Sequence, residues 1–192
     1  MNDNREIILA SSSERRIELI NLLGLKNIVC QNHKIDEEAF KWKKPYSKSI
    51  LNLAELKARS IKTKKNKNSI IIACDTVVIR AGKIFNKTNS KSEINNYLKN
   101  LSGKKHFVYG GLCVLTPSGK VFRKFSKTEV YFNKILDYEI SKQILEDGIG
   151  KAGGYALQNY GSRFVKKIRG CYTNVIGMSI PQLYKILKNP EL

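Results

Sequence analysis

The chain has 192 residues, 42% of them hydrophobic, and a formal net charge of +19. This length supports one well-buried core but is too short for two comfortable domains. No apolar run reaches about 18 residues, so we expect no membrane span, and the N-terminal segment lacks the features of a secretory signal. Four scattered cysteines without a C-x2-4-C pair predict buried free thiols and a reducing, cytoplasmic location.

The large positive charge raises the question of a polyanionic partner. The lysines are spread along the chain, and the densest run, residues 61–69, is typical of a solvated loop. That run has no interleaved aromatic residues on which bases could stack. We therefore expect a small anionic ligand and consider a nucleic-acid partner unlikely.

In the first half of the chain, strands and helices alternate. Short apolar runs predict strands at residues 6–10 and 27–32, and helical spacing predicts a helix between them at 14–23 with Ser13 as its N-cap. A second helix is predicted over Tyr46–Ile61. A buried strand follows at 69–73, and residues 77–79 and 83–85 form a predicted hairpin around Ala81 and Gly82.

In the second half, hairpins dominate. Ser90 is expected to cap a helix that ends at Leu101. Two long strands are predicted at 106–115 and 121–132, then a helix at 137–146 and a glycine-rich irregular segment at 148–160. A strand at 162–168 and a helix at 179–187 complete the chain. This succession predicts an α/β fold with a mixed sheet.

The first predicted helix is preceded by three serines, Ser11 to Ser13, and carries Arg15 and Arg16 in its first turn. The helix macrodipole disfavours cations at this end. Either the serines cap the helix and the arginines are solvated, or hydroxyls, free N–H groups and guanidiniums together form a phosphate site. Local features leave both interpretations open.

Two further residues carry charge in apolar surroundings. Asp75 follows a buried strand, and an unpaired buried carboxylate is costly, so it needs a cation, a metal or hydrogen-bond donors. It is either a turn residue between strands, or a metal ligand or water-activating base at a strand end. Lys57 lies on the apolar side of its helix and needs an anionic partner or a route to solvent.

The remaining candidates carry weaker signals. Gln158, in the glycine-rich segment, offers an amide that can contact a base edge. The glycines there follow a helix and not a strand, which excludes a dinucleotide-binding fold. Glu37 lies in an acidic run of a kind that is usually solvated, and His33 and His106 are more often structural than catalytic in such contexts.

Five segments, in order and spanning nearly the whole chain, resemble the Maf family of nucleoside triphosphate pyrophosphatases. They are ILASSSERRIELINLLGL, LAELKARSIK, ACDTVVIRAGKIFNKT, LSGKKHFVYGGLCV and KAGGYALQNYGSRFVKKIRGCYTNVIGMSI. The resemblance implies one domain over residues 1–192, a single two-lobed unit around a long mixed β-sheet, similar to the inosine triphosphate pyrophosphatases.

The resemblance also implies hydrolysis of a nucleoside triphosphate to the monophosphate and pyrophosphate, by metal-assisted attack of water at the α-phosphate. Asp75 would be the proton acceptor, and Glu37 with Asp75 would hold Mg²⁺ or Mn²⁺. The implied phosphate-binding set is Ser11, Arg15, Arg16, Lys57 and Lys87. The implied specificity positions are Arg15, Thr76 and Gln158, which match the branch acting on dTTP and UTP.

The chain departs from the family pattern at Glu14, which replaces a proline, at Asn86 and Thr88 around Lys87, and at Asn159 and Tyr160. Two alternatives remain: a basic nucleic-acid-binding or cell-division regulatory protein with little turnover, and a phosphohydrolase that releases orthophosphate. The expected partner is a nucleoside triphosphate substrate, without a membrane, and the sequence leaves a homodimer open.

Overall fold

A computed structural model describes residues 5–189, so the first four residues of the N-terminal segment discussed above lie outside the described part. The strands are β1 Ile7–Leu9, β2 Ile28–Cys30, β3 Ile70–Arg80, β4 Lys83–Phe85, β5 Lys105–Leu115, β6 Val121–Phe132 and β7 Val165–Arg169. The helices are α1 Glu14–Asn21, α2 Tyr46–Ile61, α3 Lys91–Leu101, α4 Lys142–Asp147, α5 Tyr172–Ile176 and α6 Ile180–Leu187. Short 3-10 helices lie at Asp137–Glu139, Ala152–Gly154 and Tyr160–Phe164.

The strands form a seven-stranded mixed sheet in the order β2-β1-β3-β5-β6-β7, with β4 paired to β3. β1 runs parallel to both β2 and β3, with Ile7 opposite Ile28 on one side and Ile70 on the other. β4 and β7 are antiparallel to β3 and β6 respectively. The predicted mixed α/β class is confirmed.

The chain divides into two compact units. The first contains the described residues up to Asp75, Gly110–Ser126, and the described residues from Gly177 onward; the second contains Thr76–Tyr109 and Lys127–Ile176. The expectation of one domain over residues 1–192 stays a prediction.

In the first unit, helix α2 packs its apolar face on the parallel strands. Its buried positions recur at helical spacing, and Ala54, Ala58 and Ile61 share a core with residues of β1, β3 and β5. The helix approaches β5 so closely at Gly111 that an added Cβ would lie 2.4 Å from the backbone oxygen of Ile50. This close approach, which only glycine permits, fixes the depth at which α2 carries its side chains.

In the second unit, α3 is the principal helix of the core. Ser90 is its N-cap and accepts a hydrogen bond from the backbone N–H of Glu93, as predicted. The helix buries Ile94, Leu98 and Leu101 in a cluster with residues of the strands. Its apolar spacing and its cap together account for its bounds.

A buried aromatic cluster lies in the same core. His106 Nε2 lies 2.8 Å from the Tyr155 hydroxyl, and both rings contact Phe132 edge-on, with centroids 4.8 and 4.9 Å away. Burial lowers the pKa of His106 to about 3, with a further contribution from Arg80, and burial raises the pKa of Tyr155. The structural interpretation of His106 is confirmed.

Several predicted elements need correction. The two runs on either side of Asp75 are one continuous strand, β3, so Asp75 lies within a strand and not at its end. The helix predicted at 137–146 is a 3-10 turn followed by α4. Residues 160–164 form a 3-10 turn before β7, and the short helix α5 was not predicted.

The prediction for the start of α1 is confirmed only in part. Ser13 occupies the N-cap position, but its side chain makes no capping hydrogen bond to the described residues. Ser11 Oγ instead accepts from the backbone N–H of Ser13, which shapes the chain just ahead of the helix.

Candidate active site

The first unit contains a buried ammonium group shared by two carboxylates. Lys57 Nζ lies 2.5 Å from Asp75 Oδ1 and 2.8 Å from Glu37 Oε1. Lys57 is completely buried, Asp75 is 3% exposed, and the Glu37 side chain is 28% exposed. Asp75 therefore has the cation that its burial requires, which explains how a carboxylate is accommodated within strand β3.

Arg16 approaches the same carboxylate from helix α1. Its Nη2 lies 3.8 Å from Asp75 Oδ1, its Nη1 donates to Ser11 Oγ at 3.4 Å, and its Nε donates to the Gly177 carbonyl at 3.1 Å. An added Cβ at Gly177 would lie 3.4 Å from the Arg16 side chain, at a backbone φ of +152°. Arg16 is thus held in one orientation by three separate segments of the first unit.

Arg16, Glu37, Lys57 and Asp75 together form what we call the buried ionic centre. Burial alone would lower the pKa of Arg16, but electrostatic interactions with Cys74, Asp75 and Glu37 outweigh burial and raise that pKa. Two cations thus face two carboxylates in a region of low solvent access. Removing any one member leaves an uncompensated charge, so the four side chains are mutually dependent.

The loop that carries Glu37 has its own supports. Asp36 Oδ1 accepts hydrogen bonds from the backbone N–H groups of Glu38 and Ala39, which forms a tight turn around Glu37. His33 Nε2 lies 3.1 Å from Glu37 Oε1, the same oxygen that contacts Lys57. These contacts orient Glu37 toward the ionic centre although it lies outside helix and strand.

The centre can supply a proton acceptor and hard oxygen ligands. Carboxylate oxygens suit Mg²⁺ or Mn²⁺, and Mg²⁺ usually takes only one or two carboxylates and completes its shell with water and substrate phosphates. Within residues 5–189 no group of three or more His, Cys, Asp or Glu could hold a metal ion. Glu37 and Asp75, each within 2.8 Å of the Lys57 nitrogen, place two carboxylates side by side, which is the number that Mg²⁺ usually takes from a protein.

The structure brings together five of the residues singled out from the sequence. Ser11, Arg16, Glu37, Lys57 and Asp75 are joined by the contacts above. Arg15 lies half-buried on α1 beside Arg16. Thr76, Lys87 and Gln158 belong to the second unit, where Thr76 is half-buried and the other two are exposed. The specificity and phosphate roles of these four residues stay predictions.

Two contributors to the centre were missed. His33 is four positions before Glu37, a spacing that signals contact in a helix, but this segment is a loop. Gly177 contacts Arg16 across 161 positions of sequence, and no local pattern indicates such a contact. The anionic partner expected for Lys57, in contrast, is found, since both Asp75 and Glu37 contact its ammonium.

The fold and the site define a mixed α/β protein with a buried carboxylate–ammonium centre. A solved HAM1 protein from Coxiella burnetii shares this fold, with a TM-score of 0.51 and 14% identity over 95% of this chain and 98% of that one. At this identity the likeness concerns the fold alone.

The chain belongs to the Maf family, since the family described as Maf-like protein matches residues 6–190. A dTTP/UTP pyrophosphatase of Clostridium perfringens is 35% identical over 97% of this chain and 98% of its own length. One from Clostridium botulinum is 38% identical over 95% and 96%, and one from a Thermoanaerobacter species is 38% identical over 95% of each. The resemblance inferred from the five sequence segments is confirmed.

In the described part of the chain, no helix combines the length and apolar character needed to span a bilayer. No disulfide joins the cysteines there, in agreement with the prediction of thiols, although only Cys74 and Cys113 are buried while Cys30 is exposed. The cytoplasmic location and the question of a homodimer stay as the sequence left them.

Proposed function

We propose that this protein is a nucleoside triphosphate pyrophosphatase that acts on dTTP and UTP. Water attacks the α-phosphorus, the bond between the α-phosphorus and the bridging oxygen breaks, and the products are the nucleoside monophosphate and pyrophosphate. The printed names of three relatives that match nearly the whole chain support the substrate class. The observation that carries the proposal is the ammonium of Lys57 between Asp75 and Glu37.

Asp75 is the proposed proton acceptor. A general base must be ionised and fixed within hydrogen-bond reach of the water whose proton it takes. The contacts with Lys57 and Arg16 fix the orientation of the Asp75 carboxylate on a rigid strand. The proton taken from the attacking water would then pass to Asp75.

Lys57 and Arg16 act, in this proposal, largely through Asp75. Lys57 is fully buried and Arg16 is 5% exposed, and the named atoms of both side chains already have protein partners. Their predicted contacts with the triphosphate would require them to exchange these partners. Ser11 and Arg15 remain the proposed phosphate-binding groups of the first unit.

Glu37 and Asp75 are the residues that would hold a divalent metal. When bound, Mg²⁺ or Mn²⁺ would neutralise negative charge on the phosphates of the substrate. Because Glu37 is partly exposed, a metal ion from solvent can reach its carboxylate, whereas the Lys57 ammonium is fully buried.

A panel of nucleoside triphosphates with Mg²⁺ or Mn²⁺, scored for pyrophosphate release, tests the proposal. We expect dTTP and UTP to be the preferred substrates. Asp75→Asn should lower turnover by about 10²–10⁴-fold, because the acceptor is lost while the side chain keeps its shape. Asp137→Asn is the matched control, since Asp137 is exposed and pairs only with exposed Lys99 in the described contacts.

Wild-type turnover by Asp75→Asn, with its fold intact by circular dichroism, would remove Asp75 from the mechanism. Release of orthophosphate in place of pyrophosphate would favour a phosphohydrolase of another kind. Equal losses in Asp75→Asn and Asp137→Asn would point to a general effect of charge removal.

A further inference from the structure

The exposed face of β5, β6 and β7 in the second unit interleaves aromatic and charged side chains. Successive residues of a strand point to opposite faces, so alternate positions of each strand meet on one side of the sheet. The inward positions, among them Val108, Val130 and Phe132, are buried. We call the outward set the aromatic–basic face; it comprises Lys105, Phe107, Tyr109, Lys127, Glu129, Tyr131, Lys167 and Arg169.

Cations of this face lie over its rings. Lys127 Nζ is 4.3 Å from the centroid of Phe107, and Lys105 Nζ is 5.3 Å from the same centroid. Lys105 and Arg169 each lie 5.9 Å from the centroid of Tyr131. The rings of Phe107 and Tyr109 are 6.2 Å apart. Aromatic platforms and cations are thus spread over three neighbouring strands.

Strand pairing, and not sequence proximity, creates the interleaving. Tyr131 is opposite Lys167, and Glu129 is opposite Arg169, across the antiparallel pair of β6 and β7. The lysine-rich run at residues 61–69 lacks aromatic neighbours along the chain, so the sequence analysis does not favour a nucleic-acid partner. The fold supplies on this sheet face the combination that the run lacks.

The charge of the face selects the kind of partner. Lys105, Lys127, Lys167 and Arg169 carry four positive charges, against one carboxylate on Glu129. A second copy of the same face would bring like charges together without compensation, so self-association through it is disfavoured. A polyanion with flat apolar groups satisfies both the cations and the rings.

We propose that the aromatic–basic face binds single-stranded RNA. Bases would stack on Phe107, Tyr109 and Tyr131, and the cations that now cover the rings would move to the phosphates. Duplexes are disfavoured because their bases are already stacked on one another. Glu129 accepts a hydrogen bond from the Tyr131 hydroxyl at 2.5 Å, and its carboxylate can also accept one from a ribose 2′-hydroxyl, which DNA lacks.

The test is fluorescence anisotropy of the full chain with a labelled single-stranded RNA of about 16 nucleotides and mixed sequence. Affinity should fall between about 50 and about 200 mM salt, with a log–log slope of about −0.7 for each phosphate contact. We expect weaker binding of DNA of the same sequence and of the RNA duplex. Binding that is insensitive to salt, or as tight to DNA or duplex, would overturn the proposal.

Variants separate stacking from charge. Phe107→Ala should weaken binding by about tenfold, whereas Phe107→Tyr keeps a ring and should bind as wild type. Tyr138→Ala is the matched control, because Tyr138 is an exposed tyrosine of the same unit outside this face. Equal loss in Phe107→Ala and Tyr138→Ala would overturn the stacking platform.

Lys127→Gln should reduce the salt slope by about 0.7 and leave pyrophosphate release unchanged, with Lys99→Gln on α3 as the control. An unchanged slope in Lys127→Gln would overturn the role of the face. Sedimentation supplies the competing outcome: a dimer dissociated by Lys127→Glu would assign the face to a second copy and overturn RNA binding.

Discussion

Each unit of this protein buries titratable side chains, and the two units treat their charge in opposite ways. In the first unit, Arg16, Glu37, Lys57 and Asp75 form opposite-charge pairs in the buried ionic centre. In the second unit, burial lowers the pKa of His106 to about 3, so that it is neutral beside the Tyr155 hydroxyl at neutral pH. The buried ionic centre pairs opposite charges, whereas the aromatic cluster around His106 keeps its buried imidazole uncharged.

The two arrangements suit different roles. A neutral hydrogen-bonded pair among aromatic rings contributes packing and needs no counter-charge. A balanced ionic centre is costly to desolvate and is often no more stable than an apolar replacement, so its presence points to chemistry. This contrast supports the proposal that Asp75 and Glu37 of the first unit are the reactive carboxylates.

The largest effect on stability is expected from Lys57→Met. The substitution keeps an unbranched side chain that is one atom shorter, but leaves Asp75 and Glu37 without the ammonium they share. We expect a loss of about 3–5 kcal/mol in the free energy of unfolding, measured by urea denaturation. Lys99→Met, which removes an exposed ion pair with Asp137, should cost less than about 1 kcal/mol. A loss as small in Lys57→Met would break the contrast between the centres.

An effect that is intermediate for each pH unit is expected from acid acting on His106. Between about pH 6.5 and about pH 3 the unfolded chain binds a proton at His106 that the folded chain does not, so stability falls as the pH falls through this window. The slope from this group is about 1.4 kcal/mol per pH unit. Carboxylates also contribute to acid unfolding, so the measurement is the difference between wild type and His106→Phe.

His106→Phe keeps a ring in the cluster and removes the titration. The unpaired Tyr155 hydroxyl lowers stability by the same amount throughout the window, so only the slope reports on the proton. Parallel pH profiles for wild type and His106→Phe would mean that His106 is not held neutral in the fold.

The smallest effect concerns helix caps, one from each unit. Ser90→Ala in the second unit should cost about 1 kcal/mol, because the hydroxyl accepts from the Glu93 N–H. Ser13→Ala in the first unit should be nearly neutral, since its side chain makes no capping bond to the described residues. Thermal unfolding of the two variants measures the contrast, and an equal loss in both would contradict it.

Much of the fold was predictable because its signals are local. Helix α2 has the predicted bounds, since its buried positions follow helical spacing from Ile50 to Ile61. The cap at Ser90 and the strand β6 were likewise predictable from residue type and turn chemistry. Helix α5 has five residues, too few to show a period.

The site was predictable residue by residue but not as an arrangement. Lys57 and Asp75 each signalled the need for a counter-charge, yet nothing local indicates that they are partners across 18 positions. Strand β3 was predicted as two separate strands around Asp75 for the same reason. A carboxylate in the middle of a buried strand is acceptable only because Lys57 and Arg16 contact it, and the sequence does not indicate these contacts. Contacts between distant residues, such as Arg16 and Gly177, cannot be predicted from the pattern of a short sequence segment.

The cysteines give this protein an internal reporter of local opening. Cys30 is exposed, whereas Cys74, beside Asp75, and Cys113, in the core beneath α2, are buried. Burial, chiefly, raises the pKa of Cys113 to about 12, so that thiol reacts only when the surrounding chain separates. An alkylating reagent should therefore modify Cys30 rapidly. The slower modification of Cys74 and Cys113 would measure how often the first unit opens locally.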